Sequence, residues 1–242
     1  GKIRTFVTPR RLTLVVDDLP EEQPDLRVEK RGPKVDAPDK AIEGFLKANG
    51  VTRSDCEERE LEKGIFLFLV VEKTGAKTAT VLPDVLSVVI ADLPWQKSMR
   101  WGEGPMRWVR SLERVMCLFD GRELNVATRN DVPCGDITSG HRFLAPSPFA
   151  VRNFDDYESN LRDAYVVLDR EERKTIILKG AEAAADAEKL MLREDPGLLD
   201  EVAGLVEWPV VMTGRIDDDF MDVPDEVLIT SMRLHQKYFS LL

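Results

Sequence analysis

Residues Leu205 to Phe239 read LVEWPVVMTGRIDDDFMDVPDEVLITSMRLHQKYF. Apolar and charged residues are mixed here with neither the 3.6-residue period of one helix nor the two-residue period of one strand. Local pieces are nevertheless legible. Glu207 to Ile216 has strand-like composition, Asp217-Asp218-Asp219 reads as a solvated loop, and Pro224-Asp225-Glu226 starts a helix with proline in the first turn and acids at the positive end of the dipole. By residue type Val206, Trp208, Val210, Val227, Leu228 and Phe239 are core candidates, which leaves Arg233, His235 and Lys237 for exposed contacts. Strand, loop and helix in irregular succession point to an α+β fold rather than a doubly wound sheet.

Working outward, the same irregular mixture continues. Ile3 to Val16 is a strand interrupted or begun at Thr8-Pro9-Arg10-Arg11. Asp39 is placed to cap a helix with Ile42, Phe45 and Leu46 on its apolar face and Gly50 at its end. Ile65 to Val71 is an apolar run of strand length, expected at the centre of a sheet. Lys77 to Leu93 reads as a helix with Pro83 near its first turn and Val85, Leu86, Val89 and Ile90 inward. Met106 to Phe119 is a strand candidate that turns at Asp120-Gly121 into Arg122 to Thr128. Phe154 to Tyr165 is helical, Val166 to Leu168 a short strand, and Asp169 caps a helix running through Ala181 to Ala187. The expected division is an N-terminal α+β portion, 1–94, and a second portion, 95–242, with a helical segment at 154–206.

The charge distribution carries the first functional signal. The chain has a net charge of -10, yet from Trp95 to Arg152 nine Lys or Arg face six acids. Lys97, Arg100, Arg107 and Arg110 lie among Trp95, Trp101 and Trp108, a mixture of phosphate-seeking cations and base-stacking rings that suits RNA. The bland alternative makes the tryptophans core and pairs the arginines with Glu103 and Glu113. His141 and His235 are the only histidines. Neither has metal-ligand spacing, and a catalytic role for either needs an orienting group that sequence does not reveal. Consecutive aspartates at 217–219 rarely converge on one ion, so no metal site is expected. No phosphate loop of the GxxxxGK[ST] type is present. Cys56, Cys117 and Cys134 are widely spaced and read as reduced thiols.

Several blocks then agree on a family. The Leu205–Phe239 stretch, Lys97-Ser98-Met99-Arg100-Trp101-Gly102 with Trp108-Val109-Arg110, and Thr138-Ser139-Gly140-His141-Arg142-Phe143 resemble the beta subunit of bacterial glycyl-tRNA synthetase, in order and rough spacing. Thr8-Pro9-Arg10-Arg11-Leu12 and Arg31-Gly32-Pro33 add support. One departure is Ser111, where the family has a proline after the arginine. The resemblance implies an internal fragment lacking the family's opening segment and its C-terminal HD-like and anticodon-binding domains. It further implies an α+β unit with a mixed sheet, similar to the B3/B4 module of the phenylalanyl-tRNA synthetase beta subunit.

In that family the ligation core, with glycine, ATP and magnesium, lies on a separate alpha subunit. The resemblance therefore implies a tRNA-facing and scaffold part of a cytoplasmic hetero-oligomer, with the alpha subunit and glycine tRNA as partners and no cofactor in this chain. The candidate RNA contacts are Lys97, Arg100, Arg107, Arg110, His141, Arg142, Arg233, His235 and Lys237. A hydrolytic editing module and a purely structural inter-domain module are the alternatives. Editing is the less needed, because glycine has no smaller natural rival for the pocket to reject. A hydrophobic fraction of 43% fits a globular chain, and no apolar run approaches the roughly 20 residues of a membrane helix.

Overall fold

The computed structural model describes all 242 residues, which divide into two units, Pro20–Val89 and Gly1–Leu19 with Ile90–Leu242. This differs from a single cut after residue 94. The reason is the N-terminal hairpin, which packs with the C-terminal part: Phe6 stacks on Phe154 at 5.3 Å between ring centroids, and Thr13 Oγ1 lies 3.3 Å from the Tyr157 hydroxyl.

That hairpin joins β1 (Ile3–Val7) to β2 (Leu12–Val16), antiparallel, with Val7 opposite Leu12. Its turn is fixed by Thr8, whose Oγ1 accepts from the backbone N–H of Arg10 at 3.2 Å and of Arg11 at 3.0 Å. Pro9 pre-sets the second turn position.

The smaller unit holds β3 (Leu26–Lys34), α1 (Asp39–Asn49), β4 (Cys56–Leu61), β5 (Gly64–Lys73) and most of α2 (Thr78–Asp92). Its antiparallel sheet has the order β3-β5-β4, so the expected central strand is β5. Phe66, Leu67 and Leu69 are buried there with Ile42 of α1 in the same unit. A Cβ on Gly32 would lie 2.8 Å from the Phe45 ring, so glycine lets β3 and α1 approach. Asp39 is the first helical residue rather than the cap, because Pro38 takes the cap position without a side-chain bond. Pro83 falls inside α2, beyond the first turn. Val85 and Val89 are each 49% exposed instead of inward. That helix is apolar on nearly every side, so periodicity could not select one face.

In the larger unit the expected strand from Met106 to Phe119 is broken into three two-residue strands, because each piece finds a different partner. β6 (Met99–Arg100) pairs with β7 (Arg107–Trp108), β8 (Val115–Met116) runs parallel to β11 (Cys134–Gly135), and β9 (Leu118–Phe119) pairs with β10 (Arg122–Glu123) through the Asp120-Gly121 turn. Both turn residues have positive φ, as a tight hairpin of this kind requires. β12 (Ile137–Ser139) and β13 (Pro148–Ala150) complete the set. In place of one mixed sheet there are five two-stranded sheets and one of three strands. The α+β class stands.

The helices are α3 (Phe154–Asp163), α4 (Arg170–Glu188), α5 (Pro196–Ala203) and α6 (Asp225–Ser231), the last continued by a π-helical turn over Met232–Gln236. Asp169 caps α4, accepting from Glu171 N at 2.7 Å and Glu172 N at 3.0 Å. The core gathers Val151, Tyr157, Leu161, Val166 and Leu168, with Phe6, Met116, Leu118, Phe149 and Phe154 against it. Val166–Leu168 is a buried connection, not a strand, because the carbonyls of Val167 and Leu168 are taken by a side chain. Glu207 to Ile216 is likewise irregular, finding no neighbouring strand with which to form a ladder. No helix is long and apolar enough to cross a membrane.

Candidate nucleic-acid interface

Two clusters of cations in the larger unit behave oppositely. The first is buried. Arg173, on the first turns of α4, is 0% exposed and donates to four carbonyls: Ala203 at 2.9 Å, Val167 at 2.7 Å, Leu168 at 2.8 Å and Val7 at 2.8 Å. Burial pulls its guanidinium below the ordinary arginine value, and the attraction of Asp169 and Glu207 opposes that shift.

Glu207, 4% exposed, accepts from the Thr8 hydroxyl at 2.7 Å and from the Arg11 guanidinium. Arg11 also donates to the carbonyls of Ser139 and of Gly140, the latter at 2.9 Å. The Thr8–Arg11 turn, the Ser139–Gly140 segment and Glu207 are thereby brought to one point. Of the expected core in the last block, Val206, Trp208, Leu228 and Phe239 are only partly buried. Val210 at 71% and Val227 at 56% are exposed. The buried member is instead the charged Glu207, because its carboxylate is the acceptor around which the other segments assemble.

The second cluster is exposed. On the β6–β7 hairpin Arg100 lies directly opposite Arg107. Like charges facing across a strand pair repel. Ser98 orients Arg107, accepting from its Nε at 3.1 Å with the hydroxyl and from its Nη2 at 3.2 Å with the carbonyl. Asn130 holds both sides of the hairpin loop, accepting from Met106 N at 3.0 Å and donating to Trp101 O at 3.2 Å. Trp95 packs edge-on to Trp108 with centroids 4.8 Å apart. The three tryptophans are partly buried, whereas Lys97, Arg100, Arg107 and Arg110 are exposed. The ion pairs of this segment involve other arginines: Arg129 with Asp92, Arg152 with Asp156, and Glu113 with Arg10. Lys97, Arg100, Arg107 and Arg110 therefore do not pair with Glu103 or Glu113, and Glu113 is taken by Arg10 instead.

The remaining candidates separate cleanly. His141 Nδ1 accepts from the backbone N–H of Phe143 at 3.3 Å and of Leu144 at 3.2 Å, so this ring holds a turn together, while Arg142 is exposed with its guanidinium 5.3 Å from the Phe143 centroid. Arg233 is bonded to Asp195, and Lys237 Nζ lies 2.7 Å from Glu201. His235 is exposed on the π-helical turn. The hydrogen bond from Arg233 holds the Asp195 carboxyl below its usual range. Asp217 caps a short turn through Asp219 N, and no group of His, Cys, Asp and Glu side chains is arranged to hold a metal. Burial, with Cys134 nearby, pushes the Cys117 thiol up to about 11. Asn130 and Ser98, which shape the hairpin, escaped sequence reasoning because neither residue type announces an organising role.

The comparisons with known proteins agree along the whole chain. The family model described as glycyl-tRNA synthetase beta subunit matches residues 1–242. Glycine–tRNA ligase beta subunits of Rhodospirillum centenum and of a Ruegeria species are each 50% identical, over 99% and 97% of this chain, and that of Dinoroseobacter shibae is 51% identical over 98%. The matches cover 37%, 35% and 33% of those relatives, so this chain spans little more than a third of their length. By the family model and these identities, the chain belongs to the glycyl-tRNA synthetase beta subunit family.

Proposed function

We propose that this chain is a tRNA-facing and scaffold portion of a two-subunit glycine–tRNA ligase. On this reading it supports ligation performed by a partner alpha subunit that holds glycine, ATP and magnesium in the cytoplasm. Its α+β architecture is read as that of a B3/B4-like module. The single observation that carries the RNA-facing part is the Arg100–Arg107 pair. Two arginines face each other without a carboxylate, on a hairpin pinned by Asn130 and beside a Trp pair. A phosphate between the guanidiniums would turn their repulsion into two charge-assisted contacts. The Thr8–Arg11–Glu207 assembly supports the scaffold part, because it fixes three distant segments at one point.

The test is a titration of labelled glycine tRNA and an unrelated tRNA at two salt concentrations. The wild-type chain is compared with a Lys97→Ala, Arg100→Ala, Arg107→Ala variant. Binding whose logarithm falls with log salt, with a slope reduced by about 0.7–0.9 per lost contact, is expected. Equal binding by wild type and variant would remove the hairpin as the RNA surface.

A further inference from the structure

A second feature of the larger unit lies at the end of α3. That helix closes with Val166 N donating to Leu161 O at 2.8 Å and Tyr165 N to Arg162 O at 3.1 Å. The residue between these bonds must be left-handed, and glycine is the usual occupant. Here it is Tyr165, at φ 60°. A bulky residue in that conformation is strained. Its ring does not bury in return: Tyr165 is 42% exposed and stands edge-on to Trp208, centroids 5.4 Å apart at 85°.

The adjoining turn is anchored to the same helix end. His141 N donates to Ala164 O at 2.8 Å, and Ala145 N to His141 O at 3.0 Å. A Cβ on Gly140 would lie 2.3 Å from the Ala164 Cβ, so only glycine allows this approach. The turn held in this way presents Phe143 at 78% exposure, with Arg142 over its ring. Beneath both features, Arg11 ties the Ser139 and Gly140 carbonyls to Glu207, the residue before Trp208. The backbone is thus fixed by hydrogen bonds, those of Arg11 partly buried, while Phe143 and Tyr165 are exposed to solvent.

We propose that Phe143 and Tyr165 form a stacking platform for unpaired nucleotides of an RNA, with Trp208 backing Tyr165 and Arg142 meeting a phosphate. This rests on the RNA-facing reading and adds exposed ring faces, which the partly buried tryptophans around the basic hairpin do not offer. A ring with a guanidinium beside it offers a π face and a positive charge together, the pair that an unpaired nucleotide presents in complement. A protein partner seated on apolar surface would have no use for the guanidinium that Arg142 holds over the Phe143 ring. Ordering costs are low, because the backbone is already held.

The experiment uses the purified 242-residue chain, a fluorescein-labelled single-stranded RNA hexamer, a blunt RNA duplex and glycine tRNA, with melting temperatures confirming that every variant folds. Phe143→Ala, Phe143→Leu and Tyr165→Gly are expected to weaken hexamer binding roughly 5- to 100-fold with unchanged salt slope. Phe143→Trp is expected to retain it, and Arg142→Ala to lower the slope by about 0.7. Duplex binding should not respond to Phe143. Wild-type affinity in both Phe143→Ala and Phe143→Leu would overturn the platform. So would wild-type affinity in Phe143→Leu alone, since an apolar contact would then suffice. If the hairpin variant loses salt-sensitive tRNA binding while the Phe143 variants bind normally, the platform falls and the RNA-facing reading stands. If wild type binds none of these RNAs in a salt-sensitive way, both fall.

Discussion

Arg173 and Arg100 lie in the same unit and have opposite surroundings. Arg173 donates to four carbonyls in the interior, and Arg100 faces another arginine in solvent. A guanidinium removed from water must have its donors satisfied, so its partners are the measure of what it stabilises. A guanidinium left in water beside a like charge stabilises nothing in the folded chain, and under the proposed function its partner is an anion from outside. The difference teaches that charge in this protein divides by partner rather than by residue type.

Mutations can break that contrast, and the largest effect belongs at Arg173. Arg173→Met keeps much of the volume and removes all four bonds, and is expected to cost about 4–5 kcal/mol in urea denaturation. A loss below about 1 kcal/mol would mean that the carbonyls find water instead. Next is Glu207→Gln, which leaves Arg11 without its counter-charge; about 3–5 kcal/mol is expected from the same measurement. Thr8→Ala in that background should then add less than it does alone, because the two side chains share one bond.

At Arg100 the order of effects reverses. Arg100→Ala should change stability by no more than about 0.5 kcal/mol while weakening salt-sensitive tRNA binding. A stability loss as large as that of Glu207→Gln would erase the distinction between the clusters.

The smallest effect is at the exposed Asp195–Arg233 pair. The Asp195 pKa is lowered in the folded chain by the Arg233 bond. Its contribution is therefore present above the unfolded carboxylate value of about 3.9 and lost as pH falls through the lower folded value. The melting-temperature difference between wild type and Asp195→Asn should persist from neutral pH to about 4 and vanish below it. A difference independent of pH would show that the ion pair is not its source.

Much of this organisation was legible along the chain. The helix ended by Gly50, the Asp169 cap and the Asp120-Gly121 hairpin are local, each set by the chemistry of a few neighbouring residues. The exposed basic block was equally visible, since charge density needs no fold to be counted. Three readings failed for one shared reason. Met106 to Phe119, Val166 to Leu168 and Glu207 to Ile216 all had strand composition. Whether such a segment joins a ladder depends on a neighbour that the segment does not contain. Val85 and Val89 failed differently, because an almost wholly apolar helix names no inner face.

The sequence by itself determined the family, the Asp120-Gly121 turn, the Asp169 cap and the location of the basic residues, because each is carried by residue type at short spacing. Only the tertiary structure decided that a carboxylate, rather than the apolar residues around it, would be the buried centre of the last block. The Arg11–Glu207 bond joins residues 196 positions apart. Thr8 reaches the same carboxylate across 199. No local propensity encodes such a meeting; it exists because the hairpin, the Ser139–Gly140 segment and the chain after α5 arrive at one place where an unpaired charge could not remain.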